Sequence, residues 1–211
     1  MKKTAMVWGA NGGVGQALTA KLAAEQWQVI ALSRNGEDVP GAIMTIAADV
    51  TDARAVETAV MSAAYEVDSV DLSIYAAGDI ISAKIDKMTP EEWRRIMDAN
   101  LLGPYLTTHY SLPLLAENAH LVFLGAVSER LRLPGLSAYA AAKAGLEAFA
   151  DALRKEQRKR RVLVVRPGAV ATPFWDKAPM RLPKDAASPE KVSAKILAAY
   201  QNGDSGVLDL T

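Results

Sequence analysis

The chain contains no cysteine, which excludes disulfide bonds, thiolate catalysis and cysteine metal sites. It has only two histidines, His109 and His120, too few for a convincing histidine metal cluster. It also lacks a long apolar run of the roughly 20 residues that a transmembrane helix needs. The apolar stretch after Lys2 and Lys3 ends soon at Asn11 and the glycines around it, which favours a first strand over a signal peptide. We therefore expect a cytoplasmic protein without a metal or a membrane partner.

An excess of charge of either sign is absent as well. The 24 basic and 24 acidic residues give a formal net charge of zero, so nothing favours nucleic acid or an anionic surface as a partner. The basic run from Arg154 to Arg161 fits a solvated helix end, where cations suit the helix dipole. The 211 residues are half hydrophobic and show no linker, which predicts one domain over 1–211. The least regular part is 172–187, which we interpret as a short substrate lid.

Short apolar runs alternate with amphipathic helical patterns along the whole chain. Such alternation predicts an α/β fold, a doubly wound, parallel, seven-stranded sheet with helices on both faces. The predicted strands are 4–8, 29–32, 43–47, 70–75, 120–124, 162–165 and 206–210. The predicted helices are 13–25, 53–65, 90 towards 100, 101–116, 137–158 and one that begins near 188. Ligands of such sheets bind beyond the carboxyl ends of the strands.

A glycine-rich turn, Gly9 to Gly15, joins the first strand to the first helix. Glycines there let backbone amides approach a pyrophosphate, and the helix N-terminus adds favourable polarity. A glycine cluster is a weak signal by itself, but its place between a strand and a helix favours nucleotide binding over a merely tight turn.

Tyr139 and Lys143 lie four residues apart on one predicted helix and therefore on one face of it. An ammonium near a phenol favours the phenolate, so we expect Lys143 to lower the pKa of Tyr139 towards neutrality. Such a group could donate or accept a proton at physiological pH. Together with the glycine turn, the pair indicates hydride chemistry on a carbonyl or an alcohol.

Three further motifs follow in order: Asp49-Val50 after the third strand, Asn100 midway, and Pro167-Gly168 with a later Thr172. With them the whole chain resembles the short-chain dehydrogenase/reductase superfamily in its single-domain form. The resemblance implies a Rossmann fold and an NAD(P)-dependent oxidoreductase. It implies that Tyr139 is the general acid or base, that Lys143 also binds the cofactor ribose, and that Asn100 interrupts its helix and passes protons through water to Lys143.

The cofactor contacts that the glycine turn and the resemblance imply follow the strand ends. They are Gly9, Asn11, Gly12, Gly13, Val14, Gly15, Ser33, Arg34, Asp49, Val50, Ala76, Ala77, Gly78, Tyr139, Lys143, Pro167, Gly168, Val170 and Thr172. Among them, Ser33 occupies the position where an acid would select NAD, and the guanidinium of Arg34 could grip a 2′-phosphate. We therefore expect NADP (NADPH).

The chain departs from the family pattern at several positions. Trp8 replaces a threonine, and Tyr75-Ala76-Ala77-Gly78 replaces Asn-Asn-Ala-Gly. The expected catalytic serine, thirteen residues before Tyr139, is Ala126. Ser128 could take its place only if the loop is re-registered; otherwise it is an ordinary polar loop residue.

Two function classes remain open: an NADP-dependent reductase or alcohol dehydrogenase, and a non-catalytic NADP-binding or redox-sensing protein on the same scaffold. For the first, we expect a small apolar carbonyl or alcohol. The residues expected around it are Arg130, Leu131, Leu133, Leu136, Phe174, Trp175 and Met180. We also expect a homodimer or homotetramer, because the resemblance implies pairing through the long helix and the one before it, across a twofold axis. The long helix carries small residues that let backbones approach closely: Ala138, Ala141, Ala142, Ala148 and Ala152.

Overall fold

A computed structural model describes residues 2–178 and 181–210, although the Ser128 side chain lies outside that description. Seven strands form one wholly parallel sheet in the order β3-β2-β1-β4-β5-β6-β7. The strands are β1 (Thr4–Trp8), β2 (Gln28–Ser33), β3 (Met44–Ala47), β4 (Val70–Tyr75), β5 (Leu115–Leu124), β6 (Arg161–Pro167) and β7 (Gly206–Leu210). This confirms the predicted fold class.

Six α-helices connect the strands in the described residues. They are α1 (Gly13–Ala24), α2 (Ala53–Ala64), α3 (Pro90–Met97), α4 (Gly103–Ser111), α5 (Ser137–Glu156) and α6 (Pro189–Asn202). A π-helix, Asp98–Leu102, joins α3 to α4, and short 3₁₀ helices span Ser128–Leu131 and Pro173–Lys177. The start of α3 is specified locally: the Thr89 side chain accepts from the Glu92 amide, and the Glu92 carboxylate accepts from the Thr89 amide.

Side chains of the strands alternate between two apolar cores. Met6 and Trp8 of β1 face the core beneath α2, α4 and α5, whereas Ala5 and Val7 face the core beneath α1 and α6. This two-residue period is expected for a strand covered on both faces. From β1 to β3 successive strands are added on one side of β1, and from β4 onwards they are added on the other side. This reversal of strand order places a crevice at the carboxyl ends of β1 and β4.

Two predicted boundaries are wrong. Helix α4 ends at Ser111 instead of residue 116, and β5 begins at Leu115 instead of residue 120. Pro113 lacks the amide that would continue the helix, and Leu115 pairs with Val70 of β4. The polar residues that follow Leu115 interrupt the apolar pattern, so the sequence does not indicate the first half of this strand. Other elements, such as α5, differ from prediction by one or two residues, as helix ends commonly do.

Candidate active site

The loops after six strands meet in one cavity at the carboxyl edge of the sheet. Its volume of about 1410 Å³ exceeds the roughly 300–1,000 Å³ of a typical single-ligand pocket, leaving room for two molecules. Most of the predicted site residues line it: Gly9, Asn11, Gly12, Gly13, Val14, Ser33, Arg34, Asp49, Val50, Ala76, Ala77, Gly78, Tyr139, Lys143, Pro167, Gly168, Val170 and Thr172. Gly15 and Asn100 lie behind this wall, in the positions described below.

The glycine turn is shaped for close approach. Gly9 has a φ of +82°, and a Cβ there would come within 2.6 Å of the Ala77 nitrogen. A Cβ at Gly15 would lie 2.2 Å from the Gly9 carbonyl oxygen, so Gly15 serves packing within the turn. Gly12 is the N-cap residue of α1 and has no side chain to bond the free amides of the first helical turn. These amides lie beside the cavity and are available to an anion, so the turn fits a pyrophosphate.

The end of β2 forms a polar corner next to the turn. The Ser33 hydroxyl and the Asn11 side-chain amide both donate to the Asn35 side-chain oxygen, at 3.2 and 2.9 Å. Arg34 lines the cavity, is exposed, and makes no ion pair within the described part of the chain. Its guanidinium is therefore available to an anionic ligand. The Asp49 carboxylate also lines the cavity, and one of its oxygens accepts from the amide and hydroxyl of Thr51.

Tyr139 and Lys143 are both buried on the first turns of α5. The Lys143 ammonium lies 5.6 Å from the centre of the Tyr139 ring and donates to the Leu124 carbonyl oxygen at 2.8 Å. Burial raises the pKa of Tyr139 above its ordinary value and lowers the pKa of Lys143 to about 8. The expectation that Lys143 lowers the pKa of Tyr139 is therefore wrong for the protein alone, because desolvation of the phenol dominates and the ammonium bonds elsewhere.

Asn100 sits in the π-helix and is fully buried. Its side-chain nitrogen donates to the carbonyl oxygens of Asp79 and Ile96, at 2.8 and 2.9 Å. Its side-chain oxygen has no donor among the described residues and faces Gly78, where a Cβ would lie 3.0 Å away. An interrupted helix at Asn100 was predicted; the interruption takes the form of one π turn.

The expected serine position carries no hydroxyl. Ala126 lines the cavity and is half-buried. It follows Gly125, whose backbone amide donates to the Val165 carbonyl oxygen at 2.8 Å. Ser128 begins the 3₁₀ helix that follows, and its side chain lies outside the described residues. A hydroxyl supplied by Ser128 therefore stays a prediction.

The lid closes over Tyr139. Phe174 places its ring centre 5.9 Å from that of Tyr139, and the Trp175 indole donates to the Val170 carbonyl at 2.8 Å. Two backbone bonds of Ala187, to Ala171 and Ala169, tie the lid's far end to its start. Across the cavity, Arg130, Leu131 and Leu136 form part of the wall, while Leu133 is exposed and outside it. Met180 lies outside the described residues.

Sequence reasoning missed an ion cluster at the cavity mouth. The nearly buried Asp79 carboxylate pairs with Arg95 of α3 at 2.5 Å and with Lys177 of the lid at 3.4 Å. The only signal was a charged residue directly after the strand-end glycine, Gly78. Its partners are 16 and 98 positions away, too far for a local pattern to reveal. The cluster ties the lid to the wall opposite.

In residues 2–178 and 181–210, none of the helices has the length and hydrophobicity of a membrane-spanning segment. Within the same residues, no group of three histidine, aspartate or glutamate side chains could hold a metal ion.

Comparison with known proteins relates most of the chain to one family. The sequence model of the family described as short chain dehydrogenase matches residues 3–181. A 3-oxoacyl-[acyl-carrier-protein] reductase, MabA, of Mycobacterium avium is 30% identical over 176 residues, covering 82% of this chain and 69% of the relative. An uncharacterized oxidoreductase of Staphylococcus aureus strain USA300 is 29% identical over 182 residues, covering 81% and 79%.

Solved structures share the architecture. Ligand-free aldohexose dehydrogenase (AldT) of Thermoplasma acidophilum superposes with a TM-score of 0.88 at 24% identity, over 99% of this chain and 91% of that one. A short-chain oxidoreductase of Burkholderia thailandensis gives a TM-score of 0.82 at 28% identity, over 100% and 91%. The similarity therefore extends across the whole chain.

Proposed function

The chain belongs to the short-chain dehydrogenase/reductase family, and on that premise we propose that it is an NADP-dependent oxidoreductase acting on a small, apolar carbonyl or alcohol. The observation that carries the proposal is the joining of Tyr139, Lys143 and the bare glycine turn in one cavity. The nicotinamide would supply or accept the hydride. The chain's own residues would bind the cofactor, orient the carbonyl and move the proton.

Cofactor binding would use the polarity of the cavity's two ends. The α1 amides next to Gly12 would hold the pyrophosphate, which is anionic and suits a helix N-terminus. Arg34 is exposed, makes no ion pair within the described chain, and would bind the 2′-phosphate. The polar corner at the end of β2, where the Ser33 hydroxyl donates to Asn35, lies next to this position. The absence of an acid at Ser33 removes the group that would repel this phosphate.

Proton transfer would be the task of Tyr139. Because burial raises its pKa, the phenol keeps its proton at neutral pH. This is the state that a general acid needs when a carbonyl is reduced. Reduction is also the direction named for the Mycobacterium avium relative. The Lys143 ammonium would be mostly protonated near pH 7, since its pKa lies at about 8, and would bind the ribose hydroxyls.

The substrate space is apolar where it borders Tyr139. Phe174 of the lid and Leu136 of the opposite wall flank it, and Ala126 adds a methyl group in place of a hydroxyl. A small carbonyl compound without several charges fits such a space. The Asp79–Lys177 pair would hold the lid over it and exclude water. We further propose that the protein forms a homo-oligomer and acts in the cytoplasm.

One observation favours a second candidate function. Ala126 removes the hydroxyl that would polarise the substrate oxygen, and losing such a donor costs roughly a hundredfold to a thousandfold in rate. A non-catalytic NADP-binding or redox-sensing protein would tolerate that loss. The intact Tyr139–Lys143 pair argues against this alternative, because binding alone does not need the phenol.

A carbonyl panel followed by NADPH absorbance tests the proposal. The proposed function predicts NADPH consumption with at least one small apolar ketone or aldehyde, and a rate lower by about 10²–10⁴-fold with Tyr139→Phe. Calorimetric NADPH binding without turnover of any carbonyl, or of any alcohol with NADP, would support the second candidate instead.

A further inference from the structure

The π-helix leaves one backbone carbonyl without a main-chain donor. In this register each amide bonds to the carbonyl five residues earlier, and the Gly103 amide does so to Asp98. The next amide in the series would belong to residue 104 and would reach the Ala99 carbonyl. Residue 104 is proline, which has no N–H. Ala99 is half-buried, and a carbonyl left unpaired away from water would destabilise the turn.

Tyr75 supplies the missing donor. Its hydroxyl donates to the Ala99 carbonyl oxygen at 2.6 Å from the end of β4, and its side chain is fully buried. Burial raises the pKa of Tyr75 further above neutrality, so the hydroxyl keeps its proton. Gly103 provides the space, because a Cβ there would lie 2.2 Å from the Tyr75 oxygen. This single carbonyl therefore depends on three residues: Tyr75 donates to it, Gly103 leaves room for the hydroxyl, and Pro104 lacks the amide that would otherwise bond to it.

The carbonyl that Tyr75 holds immediately precedes Asn100. The direction of the Asn100 side chain depends on the π register, since its amide nitrogen bonds to Ile96 one turn back and to Asp79. Its side-chain oxygen, for which the described residues supply no donor, faces Gly78, which lines the cavity. A return to α register would rotate Asn100 by about 100°, a little over a quarter of a turn, and move that oxygen away from Gly78.

We propose that Tyr75 is a positioning residue for catalysis: its hydroxyl replaces the donor that Pro104 lacks, holds the π-helix in register and so directs the Asn100 oxygen towards the cavity wall. The inference rests on the proposed function together with the role that the family resemblance implies for Asn100, which is to pass protons through water to Lys143. It also accounts for a tyrosine where the family pattern has asparagine.

A double-mutant cycle tests the proposal. Tyr75→Phe removes only the hydroxyl and should lower kcat about tenfold while KM for NADPH stays unchanged. It should also alter the pH–rate profile in the same way as Asn100→Ala. Pro104→Ala restores an amide that can reach Ala99, so the double variant should recover most of the lost kcat. Tyr200→Phe, which removes a hydroxyl from a half-buried tyrosine far from the π-helix, is the matched control and should keep wild-type kcat.

Hydrogen exchange gives a readout that does not need turnover. Tyr75→Phe should accelerate exchange of the amides in 98–105, and the double variant should slow it again. Unchanged kcat and exchange in Tyr75→Phe would overturn the proposal, as would a loss of kcat that Pro104→Ala does not restore. If the wild type reduces no carbonyl but the exchange pattern holds, the proposed function fails while the anchoring by Tyr75 stands.

Discussion

The ammonium of Lys143 donates a hydrogen bond to the carbonyl oxygen of Leu124, the last residue of β5. This bond fixes the amine at the end of a strand, 5.6 Å from the Tyr139 ring centre. The lysine is thus positioned by the sheet and not by the tyrosine beside it. Because the Lys143 charge is buried, a backbone oxygen or a ligand hydroxyl must accept a hydrogen bond from it.

Replacement of Tyr139 and of Lys143 should separate proton transfer from cofactor binding. Tyr139→Phe should lower kcat about 10²–10⁴-fold, the usual contribution of a general acid, with NADPH affinity nearly unchanged. Lys143→Met should lower both, because it removes a cation from the cofactor side of the cavity. Steady-state kinetics and calorimetric titration measure the two effects. Normal turnover by Tyr139→Phe on a confirmed substrate would show that another group is the acid.

Cofactor preference should depend on Arg34. Arg34→Ala should weaken NADPH binding about tenfold to hundredfold, since a hydrogen bond to a charged group contributes about 1.5–3 kcal/mol, and should leave NADH binding little changed. Arg54→Ala, another exposed arginine that does not line the cavity, is the control. Calorimetry with both cofactors decides the matter. Equal affinities in the wild type would remove the basis for NADP specificity.

Sequence reasoning succeeded where structure follows from local chemistry. The cap at Thr89, the apolar run of β1 and the glycine turn each specify their geometry within a few residues. It failed where burial or distant pairing decides. The pKa of Tyr139 rises because the folded protein desolvates it, and Asp79 finds Lys177 only through the fold. Neither fact can be read from spacing along the chain.

Self-association should use the outer face of α5. Ala138 and Ala142, expected at an interface, are instead buried within the protomer. Ala141, Ala148 and Ala152 remain exposed, beside the exposed Tyr105 and Leu102 near the junction with α4. Ala148→Arg should therefore convert a dimer or tetramer to monomer in light scattering at micromolar concentration. The control is Ala20→Arg, an exposed alanine on α1. A monomeric wild type would contradict the prediction.

Stability should fall in mild acid because of His120. Burial lowers its pKa from 6.5 to about 4, and Arg161 adds to the shift while Asp204 opposes it. The folded state thus favours neutral imidazole, so the contribution is present above pH 6.5 and is lost as pH falls towards 4. At pH 5 the loss should be about 2 kcal/mol in denaturant unfolding.

Replacing each histidine in turn tests whether His120 causes the loss of stability at pH 5. His120→Leu should reduce the difference in unfolding free energy between pH 7 and pH 5. His109→Leu, which removes an exposed histidine, should keep the wild-type difference. If His120→Leu shows the same acid sensitivity as the wild type, carboxylates and not this imidazole are responsible.

The missing hydroxyl at Ala126 should be recoverable. Ala126 lines the cavity thirteen residues before Tyr139, where the family pattern supplies a serine. Ala126→Ser should raise kcat/KM for a carbonyl substrate, because a donor aimed at the developing oxyanion typically contributes roughly 2.7–4 kcal/mol, of which part could return. Measurement of kcat/KM for this variant and for Ser128→Ala on one substrate separates three cases. A gain from Ala126→Ser shows that residue 126 faces the substrate oxygen. A loss from Ser128→Ala, without that gain, shows that Ser128 already supplies the donor. No change in either variant would mean that neither residue touches the substrate and that Tyr139 acts without a serine.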